Sequence, residues 1–378
     1  MTSFRVNLKK VVDDSYDIEI GRNLFESLIN DLKNGLVQGV HKYAIITDSH
    51  VEKLYANKIV DLMKENGFNV EKFVFPAGEK SKTRKTKEII EDAMLEKAFR
   101  RDSCIIAVGG GVVTDLAGFI AGTFGRGIPF INYATTLLAA ADASIGGKTA
   151  VDTELATNLI GLINQPVKVY LDIESWKTLP IRQLSSGLSE TIKHACLGDG
   201  EFFEFLEKNI DKVINEKGEA VLDPATCEHI AHKNCEVKYK VVSLDERETG
   251  LREVLNLGHT VGRAIEVVSD YKLLHGEALS IGMVAQVKLA NSLGYLTDSE
   301  MSRVIDLYKR AGLPVSIPDY IDRDELVKKL YTDKKVKGGK IKFVFQDGIG
   351  KIREYEDGKY SMVISEEPIK IILDDMRV

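Results

Sequence analysis

The chain has 378 residues, 44% hydrophobic and 29% charged, the mix of a folded globular protein with room for two domains. A formal net charge of −6 leaves no basic footprint for nucleic acid, and no run approaches the ~18 apolar residues that a membrane span needs. The first residues lack a signal-peptide core, and Cys104, Cys196, Cys227 and Cys235 make no disulfide framework at this length, so a cytoplasmic setting is expected.

In chain order, residues 1–21 alternate apolar and polar, which predicts a β-hairpin. Residues 24–36 predict an amphipathic helix, 42–48 a buried parallel strand ending in Asp48, 51–66 a helix and 70–75 a strand. A loop carrying Glu79 and Lys82 leads into a helix that runs to about residue 99. The stretch 104–148 organises the rest. An apolar strand at 104–108 breaks into Gly109, Gly110 and Gly111, continues through Val112 to Asp115, and enters a small-residue helix at 116–122. A second strand at 129–134 ends in Thr135 and Thr136, and a second glycine turn precedes Lys148.

Strand, glycine turn and helix start together form a phosphate or dinucleotide cradle. Glycine admits a close ligand, and the helix N-terminus offers free N–H groups. A tight turn without ligand is the plainer alternative, since the G-x-G-x-x-G fingerprint is absent. The strand–helix rhythm predicts a parallel sheet covered on both faces, with ligands at the strands' carboxyl ends. Asp48, residues 109–115, Thr135 and Thr136 all fall there.

After about residue 180 helical periodicity takes over, at 184–195, 201–208, 224–242, 255–268, 275–293 and 298–311, with a late hairpin pairing 342–345 with 351–355. The expected division is an α/β domain at 1–178 and a mostly helical domain at 179–378. In the second half Glu190, Lys193 and His194 share about one helical turn, a charged loop spans 245–252, His259 lies within the expected 255–268 helix, and His275 opens the next one. Spacing alone leaves Glu190, His259 and His275 open between metal ligands and ordinary caps and ion pairs, because no compact motif such as H-E-x-x-H joins them. In a rival set, Cys227, His229, His232 and Cys235, the last three climb one side of a single helix, and an uninterrupted helix cannot wrap its own side chains round one ion.

These stretches, in this order and over nearly the whole chain, resemble the sugar-phosphate cyclases, and among them the 3-dehydroquinate synthases. The resemblance lies in 109–119, 135–138, 142–149, 177–180, 186–193, 245–260 and 275–278. It implies a Rossmann-like NAD-binding α/β domain followed by a mostly α-helical metal-binding domain, with the site between them. Glu190, His259 and His275 match the zinc ligands, with cobalt as an alternative ion. Asp48, Glu79, Lys82, Gly110, Gly111, Val112, Asp115, Thr135, Thr136, Asp142, Thr178 and Leu179 match the NAD side. Lys148, Asn158, Lys193, Lys238, Arg252 and Asn256 match the substrate side, and Lys334 or Lys335 a phosphate-binding lysine. Arg126 matches an arginine that reaches into a partner subunit, so a homodimer is implied.

The implied substrate is a seven-carbon sugar acid phosphate, with NAD reduced and regenerated in each turnover. Two positions depart from the family pattern: Thr157 replaces a lysine before Asn158, and Arg263 replaces a phosphate-binding histidine after Gly262. Gln183 in place of a glutamate is a smaller departure. Three alternatives stay open: a sister cyclase acting on an amino analogue or a neutral sugar phosphate, a metal-dependent alcohol dehydrogenase, and a cofactor-binding protein without catalysis.

Overall fold

The computed structural model describes residues 5, 8, 12–331 and 340–377. Its first half contains β1 (Asp17–Gly21), α1 (Phe25–Lys33), β2 (Lys42–Asp48), α2 (Asn57–Glu65), β3 (Val70–Phe75), α3 (Arg84–Glu96), β4 (Ser103–Gly109), α4 (Gly111–Thr123) and β5 (Phe130–Ala134). A hairpin of β6 (Lys148–Val151) and β7 (Ile160–Ile163) follows, then β8 (Lys168–Asp172). Six strands form one parallel sheet in the order β1-β8-β5-β4-β2-β3, while β6 and β7 pair antiparallel apart from it.

The central strands are buried on both faces, as their unbroken apolar runs require: Ile45, Ile46, Ile105, Ile106 and Ile131 have no exposed surface. Residues of α1 and α2 pack on one face and residues of α3 and α4 on the other. The chain leaves β2 for β3 on one side and returns to β4 on the other. That reversal opens a crevice between the carboxyl ends of β2 and β4, where open α/β sheets bind ligands. Asp48 ends β2 and Gly109 ends β4.

The second half contains α5 (Ile181–Gly198), α6 (Gly200–Asn209), α7 (Pro224–Leu244), α8 (His259–Val268), α9 (His275–Ser292), α10 (Asp298–Arg310), α11 (Arg323–Leu330), the antiparallel pair β9 (Lys342–Val344) and β10 (Ser361–Val363), and α12 (Glu366–Asp375). Helix α9 packs on both α5 and α8. Two glycines set how closely. A Cβ at Gly276 would lie 2.0 Å from the Ser186 carbonyl of α5, and one at Gly282 would lie 2.2 Å from the Gly258 carbonyl that precedes α8. With side chains there the three helices would stand apart. One core runs from the sheet residues Val169 and Leu171 into these helices. No helix among the described residues is long and apolar enough to cross a membrane.

Four expectations change. The N-terminal hairpin does not form in its described part: β1 pairs in parallel with β8, Asp17 opposite Lys168, and most of the expected first strand lies outside the described residues. Local alternation reports a half-buried strand but not its partner. The late hairpin pairs β9 with Ser361–Val363, and Ile352 keeps only an isolated bridge to Gln346. Helix α4 starts at Gly111, so Val112 and Asp115 are helical rather than in a loop. The β6–β7 hairpin, α11 and α12 were not expected; they are short, and glycine or charge breaks their patterns.

Candidate active site

Three helices bring the metal candidates together. Glu190 comes from the middle of α5, His259 opens α8 and His275 opens α9. Glu190 Oε1 lies 3.4 Å from His259 Nε2 and 3.2 Å from His275 Nε2, and one donor atom from each residue falls within 4.8 Å of the others. The set is one carboxylate and two imidazoles, as zinc takes in sites that keep open positions.

Proton positions support a cation between them. His259 Nδ1 lies 3.2 Å from the Leu257 carbonyl, which can only accept, so Nδ1 carries the hydrogen. Burial pushes His259 down to about 3, with the Lys193 charge adding. The contact with Glu190 works against that shift, and in the neutral ring the Nε2 lone pair faces the Glu190 carboxylate, an arrangement that a cation between them stabilises. His275 answers the same demand. Burial opposes its charge, but Glu266 and Glu190 push it up to about 10. Its Nδ1 lies 3.3 Å from Glu266 Oε2, the carboxylate–imidazole pairing that orients metal-bound histidines. Burial disfavours the Glu190 carboxylate, yet the Lys193 charge holds it well below the usual range. Its Oε2 faces Lys193 as an ion pair and receives no well-directed hydrogen bond. The residues fit a divalent ion. The rival set on α7 is not among the described groups whose donor atoms converge: His229 instead packs on Phe205, with ring centroids 4.0 Å apart.

A band of cations surrounds this centre. Lys193, 1% exposed, donates to the Leu255 carbonyl at 3.0 Å. Lys238 donates to Asp142 Oδ1 at 2.6 Å. Asp142, expected on the cofactor side, thus sits with the cations, and it also joins Glu190 and His194 in a second convergent group. Lys148 lies 2.5 Å from Glu248, whose other oxygen takes Asn256 Nδ2 at 2.9 Å. Arg252 is buried, spending Nη2 on the Gly146 carbonyl at 2.7 Å and Nη1 on the Glu246 carbonyl. Arg263 lies one helical turn beyond His259, on the same side of α8. Its charge acts on both Lys148 and His259, and its Nη1 is buried without a hydrogen-bond partner.

On the sheet side, Gly110 caps α4 without a side chain, so first-turn N–H groups are left for an anion. A Cβ at Gly110 would meet Thr136 at 3.0 Å, and one at Gly111 would meet Ala143 at 3.1 Å. A side chain at either position would therefore press on its neighbour as well as on a ligand. Thr135 Oγ1 is buried and unpartnered beside them. Lys82, 3% exposed, is ringed by Glu79, Asp115 at 3.3 Å and Asp152 at 3.7 Å. Burial, with Glu79 adding to it, pushes Asp115 up to about 7 against the pull of Lys82. Free helix N–H groups, an unpartnered buried hydroxyl and a charged cluster at the strands' carboxyl ends suit the phosphates and polar groups of a dinucleotide. Asp48 holds the turn after β2, accepting from the His50 and Val51 amides at 2.8 and 3.0 Å. Thr178 takes part in a 2.6 Å hydrogen bond with Tyr55, next to Leu179.

Some expected residues are not gathered. Arg126 is exposed past the C-terminal end of α4, about 20 Å of helix from the glycine turn. Asn158 sits on the exposed β6–β7 loop with φ +53°, its amide donating to Asp152 at 2.7 Å. Lys334 and Lys335 lie outside the described residues. Sequence reasoning missed Glu266 and Asp152, and it noted His194 and the loop carrying Glu248 without giving either residue a role.

Comparisons with known proteins give the family and the fold. Family models of the 3-dehydroquinate synthase N-terminal and C-terminal regions match residues 72–186 and 187–336. A 3-dehydroquinate synthase of Desulforamulus reducens is 41% identical over 325 residues, covering 86% of this chain and 89% of its own. One of Pelobacter propionicus is 42% identical over 352 residues, covering 93% and 94%. Among solved structures, a 2-epi-5-epi-valiolone synthase of Streptomyces hygroscopicus with NAD+ and Zn2+ bound superposes with TM-score 0.85 at 27% identity over 99% of both chains. A 2-deoxy-scyllo-inosose synthase complexed with carbaglucose-6-phosphate, NAD+ and Co2+ gives TM-score 0.84 at 26% identity over 95% and 96%. A butanol dehydrogenase of Thermotoga maritima, 15% identical with TM-score 0.65 over 98% and 99%, shares the fold.

Proposed function

The chain belongs to the 3-dehydroquinate synthase family, and from that premise we propose that it converts 3-deoxy-D-arabino-heptulosonate 7-phosphate to 3-dehydroquinate and phosphate, with NAD and a zinc ion, in the cytoplasm and as a homodimer. The observation that carries the reading is the meeting of Glu190, His259 and His275 beside the buried cations Lys193, Lys238 and Arg252, with the more open Lys148 and Arg263 nearby. Lys193, Lys238, Lys148, Arg252 and Arg263 suit an anion with both a phosphate and a carboxylate better than a simple alcohol.

When bound, NAD supplies a reversible hydride acceptor and the ion polarises substrate oxygens. The chain's own residues do the rest. Glu190, His259 and His275 would hold the ion, with Glu266 and the Leu257 carbonyl fixing the ring orientations. The N-terminus of α4, Thr135 and the Lys82 cluster would hold the dinucleotide. Lys148 and Arg263 orient the phosphate, while Lys238 and Arg252 orient the carboxylate. Residues 1–178 form the cofactor-binding unit and 179–378 the metal- and substrate-binding unit, a division supported by the end of the sheet at Asp172 and the start of α5 at Ile181. Arg126 serves a partner copy, since α4 carries it away from its own glycine turn.

The test is to incubate the protein with NAD, zinc and the heptulosonate phosphate, following phosphate release and product. One phosphate per carbocycle with no net NADH supports the reading, and net NADH accumulation favours a dehydrogenase. A second reading, a sister cyclase on an analogous substrate, is favoured by Arg263 and Thr157, where this chain leaves the family pattern.

A further inference from the structure

We propose that Tyr16 is a positioning residue for Lys148, acting through the backbone of Gly146; the proposal rests on the reading of Lys148 as a substrate-binding residue. Tyr16 stands just before the edge strand β1, far from Lys148 in sequence. Its hydroxyl oxygen accepts a hydrogen bond from the Gly146 amide at 2.9 Å. From the opposite side, Arg252 Nη2 donates to the Gly146 carbonyl at 2.7 Å. The next carbonyl, that of Gly147, accepts from the Asn164 amide at 2.8 Å. Three segments, the approach to β1, the loop before α8 and the end of β7, thus grip two successive residues.

The grip has work to do. Gly146 and Gly147 have φ of +90° and +67°, both left-handed, and a free two-glycine turn samples many other shapes. Lys148 follows directly and opens β6, where its ammonium meets Glu248. The aim of Lys148 is therefore set by the turn. Both Gly146 and Arg252 are buried, so loss of the tyrosine hydroxyl leaves an amide with no partner and no water. The turn then relaxes, and Lys148 and Arg252 move with it.

Tyr16→Phe keeps the ring and its packing and removes only the oxygen. The expected result is a fall in kcat/KM for the phosphate substrate of about 10- to 100-fold, carried mainly by KM, the scale of a small misplacement of a binding group. NAD affinity by calorimetry and metal content stay at wild-type values. In a Lys148→Ala background the same change has little further effect, because the two act through one group. Hydrogen exchange in a peptide covering 145–149 rises. Wild-type exchange in that peptide overturns the proposal whatever the activity. Faster exchange with unchanged kcat/KM, or a full additional loss in the Lys148→Ala background, overturns it too. Should the wild-type protein release no phosphate at all, the functional reading fails, and the exchange measurement still decides whether Tyr16 anchors the turn.

Discussion

Glu266 on α8 stands 3.3 Å from Nδ1 of His275 on α9, so the more exposed of the two imidazoles is steered by a carboxylate from the neighbouring helix. His259 needs no such partner, because a backbone carbonyl holds its Nδ1. The two histidines are thus oriented by different means. Glu266→Gln is expected to weaken metal affinity about 10- to 100-fold while NAD binding is kept. His275→Ala is expected to abolish activity and lower metal content. Metal titration against a competing chelator checks both, and full occupancy with normal turnover in the alanine variant rules out the ligand assignment.

The glycine turn before α4 gives a second prediction. A Cβ at Gly110 would lie 3.0 Å from the Thr136 side chain. Gly110→Val is therefore expected to weaken NAD binding strongly and also to disturb Thr136. Calorimetric NAD titration together with a melting curve separates the two effects. An unchanged NAD affinity would remove the turn from the cofactor site.

Arg263 has a buried guanidinium nitrogen with no partner among the described residues. A charge-assisted hydrogen bond contributes roughly 1.5–3 kcal/mol, so Arg263→Ala should lower kcat/KM by about 10- to 150-fold, with metal and NAD binding intact. Arg263→His combined with Thr157→Lys should retain much of the activity if the substrate is the heptulosonate phosphate. Steady-state kinetics on both variants decides, and a new dehydroquinate synthesis replacing a different native activity would mark a sister cyclase.

Asp245 accepts from the amides of Thr249, Gly250 and Arg252 at 2.8, 2.8 and 2.9 Å, tying down the loop that delivers Arg252. Burial works against its charge, but these amides bring it down to about 2. A carboxylate of unfolded value near ~3.9 then adds stability that is fully present above that pH and is lost as pH falls toward about 2. Asp245→Ala leaves the buried Arg252 amide unpaired and should cost about 1–3 kcal/mol, with a flatter decline in stability below pH ~4 than the wild type shows. Urea denaturation across that pH range checks it.

Much of the α/β half was legible because its central strands are continuous apolar runs, which locate themselves: the expected 42–48 is β2, and 104–108 falls within β4. The partner of β1 was not legible, since alternation is local and pairing with β8 is not. The metal set shows the same divide. Glu190, His259 and His275 are spread over three helices, and only the order of several motifs pointed to them. What joins them is backbone contact at Gly276 and Gly282, which no spacing rule reports. Glu266 and Glu248 read in sequence as ordinary charged surface positions. Their roles exist only once α8 lies on α9 and the 245–252 loop folds over Lys148.

The pairing of β1 with β8 also sets a schedule. β1, the earliest of the described strands, has its parallel partner at Lys168–Asp172, so it waits, edge groups unpaired, while the strands between them are made. Closing so long a loop is slow, and an unpaired strand on a growing chain is exposed to other chains meanwhile. The grip of Tyr16 on Gly146 depends on that closure. A fragment ending before residue 168 therefore keeps the glycine turn and its lysine but not the strand that seats Tyr16, and competence for turnover arrives late in the life of the nascent chain.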